Sequence, residues 1–133
     1  MPPSASFGFT KLIVHELEKT AVFYRDVYGL YAVKRVRGES IGREEIDEIM
    51  LSADPNAVWG SLVLLRYLGR GPSPNGELIL GFTTDDLPAL LERVRAAGGG
   101  ITAPIQEMPE LKIHVAFATD PEGHLAELVQ LVP

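Results

Sequence analysis

Residues 69–76, Gly-Arg-Gly-Pro-Ser-Pro-Asn-Gly, decide how this chain of 133 residues is organised. Glycine and proline at this density are typical of a linker, because they interrupt both helices and strands. The elements predicted on either side follow the same order, strand–helix–strand–strand–strand. The linker therefore predicts a duplicated chain, with a first module over residues 5–68 and a second over residues 77–133.

The first module opens with a β-rich stretch over residues 7–14. A helix is predicted over residues 16–28, where apolar side chains recur at helical spacing. Gly29 is the expected end of this helix, because glycine readily takes the left-handed conformation that follows a last turn. Three further strands are predicted at residues 31–37, 46–52 and 61–68.

The second module repeats this order. A strand is predicted over residues 77–84, and Asp86 with Pro88 marks the start of a helix, since an acidic cap and an early proline favour that position. Three consecutive glycines end the helix. Strands are then expected at residues 101–106, 112–119 and 124–131.

This duplication predicts an α+β fold of two tandem βαβββ modules within a single domain, residues 1–133. One module leaves a sheet face uncovered. Two modules are therefore expected to form one curved mixed sheet around a shared cleft, with each helix on the outside. The alternative is a ferredoxin-like α+β sandwich in which the matching helix positions are a coincidence.

Composition excludes several classes of protein. The chain has 18 acidic and 12 basic residues and a net charge of −6, which disfavours nucleic-acid binding. It has no cysteine, which excludes disulfides and thiolate zinc sites. No apolar run is long enough to span a membrane and the start lacks a signal-peptide pattern, so a cytoplasmic location is expected.

Three motifs carry a resemblance to a known family. They lie at residues 12–30, at residues 81–87, and at residues 119–128, where Thr-Asp-Pro-Glu-Gly-His is followed by Glu-Leu. Together they resemble the vicinal oxygen chelate superfamily, which contains glyoxalases, bleomycin-resistance proteins and extradiol dioxygenases. The resemblance implies the glyoxalase/bleomycin resistance-like pairing of modules. It implies no single activity, because the superfamily hosts lyases, isomerases, epimerases, oxygenases and drug-sequestering proteins.

The resemblance also implies four metal-ligand positions, typically His or Gln, Glu, His and Glu. In this sequence they fall on Phe9, Leu64, Ile79 and Glu127. Three of these side chains have no donor atom, and one carboxylate does not hold a divalent ion against water. We therefore expect no metal and no other cofactor. A metal-dependent lyase or dioxygenase is the alternative if this mapping is wrong.

Alternation along the strands predicts which side chains line the cleft. Glu127 and Lys11 are the predicted catalytic residues. A carboxylate among apolar side chains suits general acid or base catalysis, and Lys11 suits an anionic group or a developing oxyanion. The alternative is an inert Glu127 paired with Lys11 or Arg66. The predicted substrate-binding residues are Phe9, Ile13, Leu62, Leu64, Arg66, Ile79, Thr83 and Val129.

Three other features have structural interpretations. The charged stretch at residues 43–48 is expected to be a solvated edge or a flexible lid. Trp59 is expected in the core or at a dimer contact, with the mouth of the cleft as the alternative. His124, where the family often has asparagine, is expected to serve the turn.

Two functions fit these features. The first is a metal-independent isomerase, lyase or cyclase that acts on an apolar, oxygenated metabolite. The second is a protein that sequesters a hydrophobic or aromatic compound, as the bleomycin-resistance branch does. The enzyme is favoured, because a carboxylate in an apolar cleft is costly unless it is used or paired. A homodimer is expected, because each module leaves sheet edges and helix surface to cover.

The first prediction concerns metal content. Purified protein is expected to contain no stoichiometric zinc, nickel, iron or manganese, because three of the four ligand positions lack donor atoms. Elemental analysis of the purified protein checks this. One metal per chain, removed by a chelator together with activity, would contradict it.

Overall fold

The computed structural model describes residues 7–39, 44–72 and 78–133, and within these ranges it contains eight strands and two α-helices. In chain order they are β1 (Thr10–Ile13), α1 (Leu17–Tyr28), β2 (Tyr31–Glu39), β3 (Glu45–Ser52), β4 (Leu62–Tyr67), β5 (Ile79–Thr84), α2 (Leu87–Ala96), β6 (Gly100–Met108), β7 (Ile113–Thr119) and β8 (Leu125–Leu131). The repeated strand–helix–strand–strand–strand order is confirmed. Arg43, the second half of the predicted linker (residues 73–76) and the first residue of the predicted strand at 77–84 lie outside the described residues. Neither α-helix is long and apolar enough to cross a membrane.

The first sheet has the strand order β1-β4-β3-β2. β1 runs parallel to β4, and the other neighbouring pairs are antiparallel. Four consecutive side chains of β4 are buried, which is typical of an inner strand covered on both faces. They are Leu62, Val63, Leu64 and Leu65.

The second sheet repeats this pattern with the order β5-β8-β7-β6, in which β5 runs parallel to β8. The Asp86 side chain caps α2 by accepting a hydrogen bond from the backbone N–H of Ala89 at 3.1 Å. A short 3-10 helix that the sequence did not predict, Pro109–Leu111, joins β6 to β7. The apolar stripe predicted for α2 is buried and consists of Leu87, Leu90, Leu91 and Val94.

The described strands form two four-stranded sheets, where the sequence led us to expect one sheet. Cα proximity divides the chain into two compact units. The first unit contains the first sheet and the start of α1, up to Ala21. The second contains the second sheet together with Val22–Gly29, the end of α1 and the glycine that follows it. Gly29 has a φ of 68°, as its predicted place after the helix requires. The shared cleft between the modules stays a prediction.

Within the second unit, a buried cluster of hydrogen bonds holds the turn between β7 and β8. Asp120 Oδ2 accepts hydrogen bonds from Tyr24 Oη at 3.0 Å and from His124 Nδ1 at 2.6 Å. Asp120 Oδ1 accepts from the backbone N–H groups of Glu122 at 2.9 Å and His124 at 3.0 Å. The contacts of His124 thus agree with its expected role in the turn.

The same cluster fixes the ionisation of its members. Burial opposes the charge on Asp120, but the hydrogen bonds and charge of His124 outweigh burial and hold the pKa of the Asp120 carboxyl below its usual value. Burial and the neighbouring carboxylate raise the pKa of the Tyr24 hydroxyl, which therefore remains a donor. Because the folded-state pKa of Asp120 is lowered, its stabilisation is present above about pH 4 and is lost as the pH falls through the folded-state value.

We expect Tyr24→Phe to lower the free energy of unfolding at neutral pH by about 1.5–3 kcal/mol, because it removes a buried hydrogen bond to a charged carboxylate. Tyr31→Phe is the matched control, since Tyr31 is 44% exposed. Urea unfolding of both variants measures the difference. The cost of Tyr24→Phe should shrink in acid, where Asp120 is protonated. An equal cost for both variants would contradict this role of Tyr24.

Candidate functional site

The register of the first sheet assigns its side chains to two faces. Lys11 lies beside Val63, which lies beside Met50, and Glu48 lies beside Val36 on the next strand. Paired residues on neighbouring strands point to the same side of a sheet, and residues two apart in one strand do so as well. These five residues therefore share one face, which we call the pocket face.

A cavity of about 230 Å³ lies on the pocket face. Most of its lining is apolar, and the charged groups within it are one ammonium and one carboxylate. The lining residues are Phe9, Lys11, Val36, Glu48, Met50, Trp59, Gly60 and Val63. A mostly apolar cavity with a few polar groups is the usual form of a small-molecule site.

The two charged groups form an ion pair. Lys11 Nζ lies 3.0 Å from Glu48 Oε2. The Glu48 side chain is only 7% exposed, whereas that of Lys11 is 39% exposed. A carboxylate is rarely buried this far unless it is paired, so Lys11 is the group that makes an ionised Glu48 tolerable in this position. The prediction that residues 43–48 form a solvated edge or lid is therefore wrong for Glu48 and for Asp47, which is also buried.

Two aromatic side chains border the cavity and remain open to solvent. Phe9 is 53% exposed and Trp59 is 64% exposed. The ammonium of Lys34 lies 4.9 Å from the centre of the Trp59 ring, a cation–π distance. Phe9 lines the cavity together with Lys11, and its use in a site stays a prediction. Trp59 lies at the cavity, whereas the core or a dimer contact was favoured for it and the mouth of a cleft was the alternative.

Gly60 fixes the segment that carries Trp59. A Cβ atom at Gly60 would lie 2.5 Å from the backbone nitrogen and oxygen of Leu51. No real side chain tolerates that approach, so only glycine lets this segment pack directly on β3. The segment that carries Trp59 therefore packs directly against the backbone of β3.

Three predicted substrate-binding residues lie on the wrong face. Leu62, Leu64 and Arg66 were expected beside Phe9, Lys11 and Ile13. The register instead places Val63 beside Lys11, so Leu62, Leu64 and Arg66 point to the opposite face of the sheet. A shift of one residue moves every side chain of a strand to the other face, which is why this prediction failed for all three together. Ile13 shares the pocket face by alternation but does not line the cavity.

The opposite face carries an ionic cluster. Arg35 donates to Asp47 at 2.7 Å and to Glu18 at 3.1 Å, and Arg37 donates to Asp47 at 3.2 Å. The Arg35 hydrogen bond holds the pKa of the Asp47 carboxyl below its usual range. Arg66 lines the same region, and its Nε is buried without a hydrogen-bond partner among the described residues. These contacts tie the start of α1 to the first sheet.

The predicted residues of the second module share one face of the second sheet. Glu127 lies between Gly81 on β5 and Phe117 on β7. Alternation places Ile79, Thr83 and Val129 on the same side. Glu127 and Val129 are partly buried, and Ile79 and Thr83 are exposed. The grouping of these four residues agrees with the predicted alternation. Their use as a site stays a prediction.

The fold and the cavity define a class: an α+β protein of repeated βαβββ units with a mostly apolar cavity on a sheet face. A profile of the Glyoxalase/Bleomycin resistance protein/Dioxygenase superfamily matches residues 6–128. The match covers most of the chain and extends over both units. This protein therefore belongs to that superfamily, as the three sequence motifs predicted.

Individual relatives agree with this assignment. The chain is 30% identical over 125 residues to lactoylglutathione lyase GLX1 from Arabidopsis thaliana; the match covers 90% of this chain, which spans only 42% of that protein. It is 26% identical over 124 residues to a probable lactoylglutathione lyase from Vibrio parahaemolyticus, with coverages of 91% and 87%. A solved glyoxalase family protein from Bacillus cereus superposes with a TM-score of 0.79 at 17% identity, covering 95% of this chain and 93% of its own.

The ligand positions implied by the family do not suit a metal ion in this chain. Phe9 and Ile79 have no donor atom, and on β4 the apolar Leu64 faces away while the apolar Val63 takes the pocket face. Glu127 alone offers oxygen atoms. Within residues 7–39, 44–72 and 78–133, no three His, Cys, Asp or Glu side chains are grouped so that they could hold a metal. The residues present therefore do not fit a divalent ion.

The ion pair predicts a measurable coupling in stability. We expect Lys11→Met to lower the free energy of unfolding by about 1–3 kcal/mol, because it leaves the buried Glu48 carboxylate without its partner. The same substitution in a Glu48→Gln background should cost less, by about 1 kcal/mol. A double-mutant cycle in urea measures the difference.

Lys19→Met is the matched control for this cycle. Lys19 pairs with Glu16 at 3.6 Å, and both side chains are more than half exposed. An exposed pair of this kind contributes little to stability. If Lys11→Met lowered the free energy of unfolding equally in the two backgrounds, the Lys11–Glu48 pair would contribute nothing to stability.

Proposed function

We propose that this protein binds a small, apolar, oxygen-bearing molecule and converts it by proton transfer without a metal ion, as an isomerase, lyase or cyclase. The observation that carries the proposal is the Lys11–Glu48 pair inside an otherwise apolar cavity. Such a cavity removes a substrate from water while leaving two charged groups to act on it. Charged groups act more strongly on a substrate when water is excluded.

The two groups suit complementary roles. The Lys11 ammonium, with three donors and a partly exposed position, holds the substrate oxygen and stabilises the negative charge that develops there. Glu48 accepts the proton that leaves the substrate. Both side chains are positioned by strands rather than loops, which favours the precise geometry that proton transfer requires.

Glu127 is a second proposed acid–base group. It was predicted from its place in the closing motif, and it lies on a sheet face with Ile79, Thr83 and Val129. The case for Glu48 is stronger, because Glu48 lines a cavity together with a cation. The two carboxylates make separate predictions and are tested separately below.

The names of the curated relatives support an enzymatic reaction of the lyase type. Two of them are called lactoylglutathione lyases. Identities of 26–30% do not carry their substrate to this chain. The poor fit of the ligand positions to a metal argues for a proton transfer that depends on side chains alone.

Sequestration without turnover is the second candidate function. Lys11 already neutralises Glu48, and a neutral pair can serve recognition alone. A solved relative is the fosfomycin resistance protein FosX from Listeria monocytogenes, with a TM-score of 0.64 at 17% identity, covering 98% of this chain. That likeness concerns the fold.

We further propose a cytoplasmic homodimer. Support for a dimer comes from large apolar side chains that are exposed in the single chain, among them Phe7 at 86% and Leu131 at 73%. Exposed apolar surface of this kind is often covered by a partner.

The test begins with native mass spectrometry of freshly purified protein, which identifies a retained small molecule. Binding and turnover of that molecule are then measured for the wild type, Glu48→Gln and Glu127→Gln, with the exposed Glu110→Gln as control. The amide keeps the shape of the side chain and cannot accept the proton. We expect Glu48→Gln to lower kcat by about 10²–10⁴-fold with a smaller effect on affinity.

The outcomes separate the proposed roles. A fall in kcat for Glu127→Gln but not for Glu48→Gln moves the base to the second unit. Turnover equal to the wild type in both variants refutes carboxylate catalysis. Binding without turnover in the wild type supports sequestration and refutes the enzyme for that molecule.

A further inference from the structure

We propose that the cavity on the pocket face selects a small planar aromatic ring that carries one hydroxyl group, with the hydroxyl oxygen bound at the Lys11–Glu48 pair. The inference deepens the proposed function, on whose site it rests. It names the class of molecule that this site takes, from size, ring contacts and charge.

The volume of the cavity limits the size of the ligand. Pockets for drug-sized molecules measure about 300–1,000 Å³. This cavity measures about 230 Å³, which is below that range. One ring with short substituents fits such a space, whereas fused rings or a long chain would extend beyond it into solvent.

The aromatic side chains at the cavity indicate a planar ligand. Phe9 and Trp59 both line it, and more than half of each side chain is open to solvent. Aromatic rings prefer offset-stacked or edge-to-face contacts with another ring, and these two exposed side chains leave room for such contacts with a ligand. The ammonium of Lys34 lies over the Trp59 ring, 4.9 Å from its centre. A flat, apolar ring is the ligand that these two side chains recognise best.

The charges at the cavity select the polar group of the ligand. Lys11 and Glu48 together are neutral, so an anion meets the Glu48 carboxylate and a cation meets the Lys11 ammonium. A hydroxyl suits both, because its oxygen accepts from Lys11 and its hydrogen is donated to Glu48. Lys11 Nζ contacts Oε2 of Glu48. A carboxylate has further lone pairs, which can accept a hydrogen bond from the ligand.

Pre-organisation of the site sharpens this selection. Lys11, Glu48 and Met50 lie on paired strands, and Gly60 packs the Trp59 segment directly against Leu51. A rigid cavity loses little freedom when a ligand binds, and it rejects ligands of the wrong shape more strongly than a flexible one does.

The test uses four small probes and one natural reporter. Trp59 is the only tryptophan in the chain, so its fluorescence reports on this cavity alone. Titration with phenol, toluene, cyclohexanol and benzoate compares a hydroxylated ring with a ring that lacks the hydroxyl, a hydroxyl without an aromatic ring, and an anionic ring. Calorimetry gives the affinities independently of fluorescence. We expect phenol to bind at least about tenfold more tightly than each of the others, the size of effect that a hydrogen bond to a charged group produces.

Variants locate the effect in the cavity. Glu48→Gln should reduce the preference for phenol over toluene about tenfold and leave toluene binding unchanged. Trp59→Leu, followed by calorimetry, should weaken the binding of phenol and toluene but not that of cyclohexanol. Glu110→Gln, on the 3-10 helix of the second unit, should change nothing. Circular dichroism confirms folding, and Lys11→Met replaces Glu48→Gln if the latter does not fold.

Two outcomes would overturn the inference. Tighter or equal binding of toluene, cyclohexanol or benzoate shows that the selected class is wrong, while the small-molecule site of the proposed function stands. Absence of saturable binding for all four probes also refutes the selected class. The proposed function is then judged by the retained molecule and its turnover, which do not depend on these probes.

Discussion

The parallel pairing of β1 with β4 is the constraint on which the rest of the first unit depends. Its register places Lys11 beside Val63 and Leu12 beside Leu64. Because strand side chains alternate between faces, this one pairing decides which residues enter the core and which meet the cavity. The antiparallel neighbours then bring Met50 and Glu48 to the same face, and the ion pair follows.

The second unit uses the same architecture with a different anchor. β5 pairs in parallel with β8, and the turn that leads into β8 is held from inside by Asp120. Tyr24, in the second half of α1, donates a hydrogen bond to this carboxylate from 96 positions earlier in the sequence. Local turn chemistry and a long-range contact therefore meet at one side chain. This convergence explains why the aromatic residues of α1 and the Asp-Pro-Glu-Gly turn occur together as motifs of one chain.

The sequence predicted the elements well, because their signals are local. Each of these signals depends only on residues that are close in sequence. They are the linker, the helix cap at Asp86, the glycine after α1 and the alternation along the strands. The faces of β4 could not be predicted in the same way, since Leu62 to Leu65 are all apolar and give no alternation to read. The resemblance to the family set the register of that strand, and an offset of one residue turned three predicted site residues away from the pocket face.

Glu48 was missed for a related reason. It sits in a run of charged residues, which is typical of exposed segments, and its partner Lys11 lies 37 positions away. A single available signal was its place in the predicted strand at 46–52, two residues before Met50. Alternation would have grouped Glu48 with that apolar neighbour. Whether a carboxylate can be buried depends on a partner that is distant in sequence. A pattern of neighbouring residues carries no information about that partner.

The contact between Gly60 and Leu51 has a consequence for how this site can diverge. Any side chain at position 60 would collide with the backbone of Leu51, so the cavity cannot be reshaped by a substitution at this position. Variation in ligand range must then come from other positions whose side chains line the cavity, such as Val36, Met50 and Trp59. Gly60 fixes the backbone of this part of the cavity, while the side chains that line the cavity are free to change. Related proteins can therefore alter the ligand they bind without a change in the sheet.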